Sequence, residues 1–536
     1  LQSNQFDTTW TPASQGTITS GQAGYDGTND AWLLTAGAIY SRVQQSISQS
    51  GVNTFSVYAK SGTEGGIFLR LNGGSNPRCF FDLNNGQVGD AAGDNIDASI
   101  ESVGNGWYRC SLITNNNADA AQIYIANDNN DFVTSGNIYI QDAQLEQGLV
   151  ATSVITTGGG TAQAGLLENT PRLDYSGGAT CPSLLLEPPR TNVITQGEYF
   201  GGSEWTKTSV SITSNSIISP DGNLNASKIT EGSTLNNHRI AVLGLVGSGT
   251  HTVSVFAKAN DRNWLLIRNA SNNSWFDILN GVVGTVESGT GSIENYGNGW
   301  YRCSVTMSSL STPAVGIADN NGSYSYQGDG ISSIYIFGAQ VEAGSYATSY
   351  IPTYGTSQTR AGEICNSTED ATTINSTEGV LYFEVSGFDN DGSDRYISIS
   401  DGTLNNAIRV FYYQDGGTTF FRKNVNGAQT TIVTTSAINK SELTKIAVKY
   451  NSTNFDIFSN GVKISTNLDS NSFPISTLNE INFSNADGTN QPFYGKTKQL
   501  IYFPTALSDL QLAILTGAAT YETFDEMALA LNYTVY

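Results

Sequence analysis

The sequence predicts an all-β protein of three tandem antiparallel β-sandwich or jelly-roll domains, two of them a duplication, with short helices near the C-terminal end. Three observations carry this. The octapeptide Gly104-Asn105-Gly106-Trp107-Tyr108-Arg109-Cys110-Ser111 returns letter for letter as Gly297-Asn298-Gly299-Trp300-Tyr301-Arg302-Cys303-Ser304. Short runs of alternating apolar and polar residues are separated throughout by Gly, Asn and Asp, the spacing of sandwich strands and their turns. Composition agrees: Gly supplies 57 of 536 residues, whereas Lys and Arg together supply 25 and Met only 2, so turn formers outweigh helix formers.

Within the octapeptide, Asn-Gly supplies a hairpin turn and the aromatic run after it enters a strand. The copies extend further. Thr54 to Lys60 answers Thr252 to Lys258, and Phe81-Asp82-Leu83 answers Phe276-Asp277-Ile278. Downstream, Ala143-Gln144-Leu145-Glu146 answers Ala339-Gln340-Val341-Glu342, and Ala151-Thr152-Ser153 answers Ala347-Thr348-Ser349. Trp10 and Trp205 fall at nearly the same separation. Two domains of roughly 150 residues are therefore expected on one plan.

In chain order, residues 1–157 form the first jelly roll, with strands expected over Thr54 to Lys60, Ile67 to Leu71, Trp107 to Ile113, Ala121 to Ile125 and Ile138 to Ile140. Residues 158–197 are a connector: Pro182, Pro188 and Pro189 forbid a regular sheet interior or helix, while Leu184 to Leu186 is too apolar for a free linker and is expected to pack. Residues 198–357 form the second jelly roll, and 358–379 a second connector. From 380 to 536 a third sandwich is expected, with strands at Val380 to Val385, Arg395 to Ser400, Ile408 to Tyr413, Thr418 to Lys423, Thr444 to Tyr450, Phe455 to Ser459, Lys463 to Ser465 and Lys498 to Phe503. Asn460-Gly461 marks a hairpin. Ser508 is placed to cap a helix carrying Leu510, Leu512 and Leu515, with Gly517 to stop it. A further amphipathic helix is expected over Tyr521 to Leu531, with Phe524, Met527, Ala528 and Leu531 on one face.

The formal net charge of −22 repels a phosphate backbone, and no Lys/Arg cluster in the sequence reverses it, so no nucleic-acid partner is expected. No apolar run reaches the roughly 18 residues of a membrane span, and the first residues lack a secretory signal, so no membrane insertion is expected. Residue 1 is Leu, which reads as either a processed start or a fragment. The five cysteines make no disulfide framework, and Cys79, whose counterpart is Ser274, is read with Cys110 and Cys303 as a small buried apolar residue.

Trp107, Tyr108, Trp300 and Tyr301 are read as repeated core rather than sugar platforms, because a repeated fold must repeat its core. Arg109 with Glu146, and Arg302 with Glu342, are expected as ion pairs between strands, against solvated charges as the alternative. Aromatics that the copies do not share are the better ligand candidates: Trp264, which aligns with Gly66, and Trp275, which aligns with Phe80. No cofactor is implied, apart from a structural Ca²⁺ at the acidic turns Asp128 to Asp131 or Asp389 to Asp394. His238 and His251 stand in no zinc spacing and beside no nucleophile motif, so no enzyme is expected.

These strings carry two resemblances. Phe-Ser-Val-Tyr-Ala-Lys, the octapeptide and residues 339–353 resemble carbohydrate-binding jelly rolls of families 4 and 9, as found in fibre and spike proteins of tailed bacteriophages. The connector Pro171 to Gly178 running on through Cys181 to Asn192 resembles those proteins most specifically. Residues 380 to about 517 resemble a concanavalin A-like, laminin-G-type lectin sandwich. The resemblance implies a non-enzymatic head or tail fibre or spike on the virion surface, homotrimeric, assembled with other virion proteins and adhering to surface glycans. Two other readings stand beside it: an accessory carbohydrate-binding region of a secreted bacterial polysaccharide-degrading enzyme, and a purely architectural capsid decoration.

Overall fold

The computed structural model describes residues 3–162, 170–176, 180–388, 394–412, 419–435, 438, 442–517, 519 and 523–532. The chain forms two compact units, Leu1–Gly165 with Thr191–Thr359, and Leu166–Arg190 with Arg360–Tyr536. The described residues are almost wholly antiparallel strand, with two short helices near the end.

The first repeat contains β1 (Thr11–Ala13), β2 (Thr17–Gln22), β3 (Ala31–Thr35), β4 (Arg42–Gln49), β5 (Val52–Ser61), β6 (Gly66–Asn72), β7 (Arg78–Asp82), β8 (Gln87–Ala92), β9 (Asn95–Gly104), β10 (Trp107–Asn115), β11 (Ala118–Ala126) and β12 (Asn137–Gln147). They make a front sheet in the order β1-β4-β11-β6-β7-β8 and a back sheet in the order β2-β3-β12-β5-β10-β9. The second repeat reproduces both. Its front sheet runs Thr206–Thr208, His238–Ala241, Pro313–Ala318, Trp264–Asn269, Asn272–Asp277, Val282–Val286. Its back sheet runs Val210–Ile217, Ala226–Glu231, Ser333–Ala343, Val246–Ala259, Trp300–Ser311, Thr290–Gly297.

The repeated octapeptide sits in the same place in both. Asn105 and Gly106 have φ of 53° and 77°, and Asn298 and Gly299 have 50° and 79°, as a type I′ hairpin requires. After the turn, Cys110 lies opposite Val57 in β5, as Cys303 lies opposite Val255. Alternation then sends Cys110 and Leu112 into the core between the sheets, with Phe55, Val57, Ile123 and Phe81. Trp107 goes to the other side of the back sheet, where it packs with Ala31 and Tyr58 and is 1% exposed.

That outer side is itself buried, and repeated residues bury it. In the first repeat Tyr25 stacks on Tyr58 with ring centroids 3.8 Å apart, and the segment after β12 folds back across the sheet. Glu146 accepts the backbone N–H of Thr152 at 2.9 Å and its hydroxyl at 2.6 Å, while Gln144 accepts the N–H of Ile155 at 2.7 Å. In the second repeat Glu342 takes Thr348 at 2.8 and 2.7 Å, and Gln340 takes the N–H of Ile351 at 2.7 Å. Gln-x-Glu followed by Thr is thus a latch holding a returning strap. This corrects the expected pairing of Arg109 with Glu146. Arg109 lies opposite Tyr58 and Glu146 opposite Thr54, at different levels of β5. Its guanidinium instead reaches Ser56 Oγ at 3.1 Å and the Ala151 carbonyl at 3.2 Å. Arg302 likewise donates to Ser254 Oγ at 3.0 Å.

Cys79 and Cys110 line the first core and Cys303 the second. Between the repeats, Val52, Ile113 and Leu149 pack with Tyr199 and Tyr354. Beside them the carboxyl of Glu198 accepts the Tyr354 hydroxyl at 3.0 Å. Burial pushes the Glu198 carboxyl up from its ordinary 4.5 to about 8, despite that hydrogen bond.

The other unit is a second sandwich. One sheet runs Leu173–Asp174, Ser183–Leu186, Gly495–Phe503, Gly379–Gly387, Thr444–Tyr450, Asn454–Ser459, Val462–Leu468; the other runs Ala428–Thr435, Thr419–Val425, Ala407–Tyr412, Arg395–Ser400, Glu480–Asn482. Its core includes Leu381, Phe383, Ile399, Val410, Phe421 and Val448. The apolar run Leu184 to Leu186 is a strand paired to Lys496 and its neighbours. The flanking Pro-Arg and Glu-Pro-Pro sequences meet in an ionic cluster: Arg172 holds Glu187 at 2.5 Å and Glu363 at 2.6 Å, and Arg360 holds Glu187 at 3.0 Å. Asn460 and Gly461 take φ of 46° and 82° at the expected hairpin. Ser508 caps α1 (Asp509–Leu515) in a capping box with Gln511. Leu512 and Leu515 pack with Met527 and Leu531 of the α2 region (Phe524–Ala530) against Val380, Tyr382 and Phe458. The parts of these expectations at Tyr413, Thr418 and Tyr521 lie outside the described residues.

The latch and the buried acid are each open to test. Glu146→Ala or Glu342→Ala strands the strap's N–H and is expected to cost about 1–3 kcal/mol in urea unfolding; an unchanged midpoint would rule the latch out. Because the folded carboxyl of Glu198 titrates near 8 against an ordinary 4.5, its contribution is full below the lower value and fades as pH rises to the upper one. Stability should therefore fall across that window, and Glu198→Gln should flatten the fall.

Candidate functional site

Antiparallel register assembles a polar and aromatic grid on the solvent side of the first repeat's front sheet. Tyr124 of β11 lies opposite Arg42 of β4 and Phe68 of β6, and Phe68 lies opposite Phe80 of β7. One step along, Gln122 lies opposite Gln44 and Arg70, and Arg70 opposite Arg78. Each strand contributes residues i and i+2, since alternate residues share a face. Core residues Ile67, Leu69, Cys79, Phe81 and Ile123 lie on the opposite face.

Two loops wall the grid. Phe132 packs against Phe68 at 5.0 Å and Phe80 at 5.3 Å, and Tyr40 packs edge-on against Phe132 at 4.9 Å. Tyr40 holds φ of 68° and is 49% exposed, a left-handed aromatic presented to solvent at a backbone cost. Tyr40, Arg42, Phe68, Arg70, Arg78, Gln122, Tyr124 and Phe132 line an open groove of about 620 Å³, with Ser14, Asn72 and Asn76 completing it.

The groove is held by its own hydrogen bonds. Tyr124 donates its hydroxyl to Gln122 Oε1 at 2.9 Å, Gln122 Nε2 donates to Gln44 Oε1 at 3.0 Å, and Arg42 Nε donates to that same oxygen at 2.9 Å. The Arg42 guanidinium also lies 5.2 Å from the centre of the Tyr124 ring. Arg70 donates to the amide oxygens of Asn72 and Asn76, both at 2.8 Å, and Arg78 donates to the Asn76 carbonyl at 2.9 Å. Flat aromatic faces beside amides and guanidiniums form a chemistry suited to a polyhydroxylated ring: apolar C–H faces stack, and hydroxyls find donors and acceptors.

The second repeat does not build this groove. Gly316 and Ala314 stand where Tyr124 and Gln122 do, and Asn273 where Arg78 does. Its two non-shared tryptophans lie on the same face, since Trp264 pairs with Asp277 and Ala318 as Gly66 pairs with Asp82 and Ala126. Trp275 as a sugar platform is corrected by its burial. It is 2% exposed, donates its indole N–H to the Ser323 carbonyl at 3.0 Å, and is packed by Trp264 and Tyr324. Trp264 is half-buried against the same cluster.

Trp300 is buried like Trp107, on the outer side of its back sheet with Phe256 and Phe337. Tyr108 and Tyr301 pack from the edge onto the inter-sheet cores. Among the described residues no three His, Cys, Asp or Glu side chains come together as metal ligands, and at the acidic turn Asp128 accepts Asn84 Nδ2 at 3.1 Å. Residues 389–393 of the other acidic turn lie outside the described residues. Sequence reading passed over Arg42, Arg70, Arg78, Gln122 and Tyr124. A signal existed: these i, i+2 pairs are large and polar or aromatic in the first copy, and partly Gly, Ala and Asn in the second.

Residues 382–513 match the family described as the concanavalin A-like lectin/glucanases superfamily. This segment lies in the sandwich of the second unit. No curated protein sequence matches the chain. Among solved structures, the CBM40 of Ruminococcus gnavus IT-sialidase bound to α2,3 sialyllactose is 19% identical, with 29% of this chain and 95% of that one covered at a TM-score of 0.25. A heptameric SAP-like pentraxin from Limulus polyphemus is 12% identical over 28% of this chain and 74% of its own, TM-score 0.24. Domains LG4-5 of the mouse laminin α1 chain are 11% identical over 52% and 91%, TM-score 0.18.

The packing of the two tryptophans sets a test. Trp275→Ala is expected to cost about 3–5 kcal/mol of stability, and Trp264→Ala markedly less. Equal losses in denaturant unfolding would contradict the burial assigned to them.

Proposed function

We propose that this protein is a non-enzymatic glycan-binding fibre or spike of a tailed bacteriophage particle, and that the front-sheet groove of its first repeat is a saccharide site. The observation that carries the proposal is the groove. Aromatic faces and hydrogen-bonding side chains converge there from four strands on the open side of a sandwich. The match of residues 382–513 to a lectin and glucanase superfamily supports glycan binding by the second unit as well. The virion assignment rests on the resemblance of the duplicated strings and of the proline-bearing connector to phage fibre proteins. Homotrimerisation and assembly with other virion proteins belong to the same proposal. Shallow sites of low individual affinity, repeated on chains fixed to one particle, gain apparent affinity through effective concentration.

A glycan array probed with the full chain tests this reading. Tyr124→Ala and Phe132→Ala are expected to lower the strongest groove-dependent signals about tenfold or more, while Trp264→Ala leaves them in place. Signals that survive both groove variants would remove the groove from the proposal. Recovery of the chain from purified virions is expected; its recovery instead with a secreted polysaccharide-degrading enzyme would replace the phage role with the accessory one.

A further inference from the structure

We propose that the first repeat's groove takes an acidic saccharide, its carboxylate or sulfate ester seated between Arg70 and Arg78. This deepens the glycan-binding reading and rests on it.

The chain carries 47 acidic against 25 basic residues, yet this groove is lined by Arg42, Arg70 and Arg78 and by no carboxylate. Outside the groove some arginines are neutralised, while others, such as the buried Arg109 and Arg302, are bonded to neutral groups inside the fold. Arg172 and Arg360 hold Glu187, and Arg262 holds Glu231 at 2.7 Å. Among the described residues none of the three groove arginines has an acidic group within ion-pair distance. Their partners are neutral: amide oxygens, a hydroxyl and backbone carbonyls.

Register sharpens the point. Arg70 and Arg78 are direct cross-strand neighbours on one face, and like charges so placed repel unless an anion lies between them. Asn72, which receives one Arg70 bond, is itself held by the exposed Asp119 at 2.7 Å. That contact fixes the amide and leaves the guanidinium's charge unpaired. A planar carboxylate, or a sulfate, matches the fork of donors that guanidiniums present. Tyr124 and Phe132 are then placed to take the sugar ring.

The second repeat lacks this charge pattern. Arg268, in the place of Arg70, donates to Asn273 Oδ1 at 2.7 Å and lies 4.2 Å from the centre of the Tyr324 ring. Asn273, in the place of Arg78, already binds the carboxylate of Glu287 at 3.0 Å. It serves as an internal control.

Calorimetric titration of the full chain tests the inference with matched pairs: an oligogalacturonide against its carboxyl-reduced form, sialyllactose against lactose, and a sulfated galactan oligomer against its desulfated form. At least one acidic member is expected to bind about tenfold or more tightly than its neutral counterpart, with the preference shrinking as salt is added. Arg70→Gln and Arg78→Gln should abolish that preference and Arg268→Gln should not. Arg78→Gln is the variant least exposed to misfolding, because its side chain's one hydrogen bond is to a backbone carbonyl. Equal binding of acidic and neutral members, lost together in Tyr124→Ala, would overturn the acidic class and leave glycan binding standing. An acid preference untouched by both groove variants would place the anion elsewhere and overturn the inference. Failure of every saccharide to bind would sink both readings.

Discussion

The constraint on which the rest depends is a sheet buried on both sides. In each repeat the back sheet gives one face to the inter-sheet core and the other to a returning strap. The strap is held by Gln-x-Glu and Thr, and packed over Trp107 or Trp300. The central strands of such a sheet have no open face left for a ligand, although its edge strands stay exposed. Its polar groups, Ser56, Arg109 and Gln144 among them, are consumed internally, as buried polar groups must be. The outer side of the first repeat's front sheet stays accessible, and the proposed saccharide site lies there.

This accounts for what the duplication preserved and what it let go. Most of the residues identical in both copies close the strap, form the I′ turn or fill the core, where a change exposes a donor or opens a void. On the front sheet the outer face carries no such burden, so Tyr124 stands in one copy and Gly316 in the other at little cost to the fold. Identity between the copies maps architecture; difference between them maps the place where specificity can be written.

Electrostatics follows the same division. A net charge of −22 makes the exterior acidic, so that copies of the chain repel one another. Against it, a front sheet with unneutralised guanidiniums forms a local positive site without a basic stretch in the sequence. The second unit neutralises several of its buried charges: Lys423 pairs with Asp469 at 3.1 Å, and Asp456 sits between Lys449 and Lys463 at 3.2 and 3.3 Å.

The sequence by itself determined the fold class, the duplication, the strand runs, the Asn-Gly turns and the Ser508 cap. All of these are written in contiguous residues whose alternation or φ preference acts locally. The same local signals showed Trp107 and Cys110 to be structural residues. Only the tertiary structure decided that Glu146 latches Thr152 and does not pair with Arg109, because strand register is set by sheet pairing and not by spacing. It also decided that Trp275 faces into a packed cluster, and that Arg42, Arg70, Arg78 and Tyr124, from four separate strands, share one groove. Non-neighbouring strands acquire a common face only when the sheet closes, and before that no window of the chain holds the site.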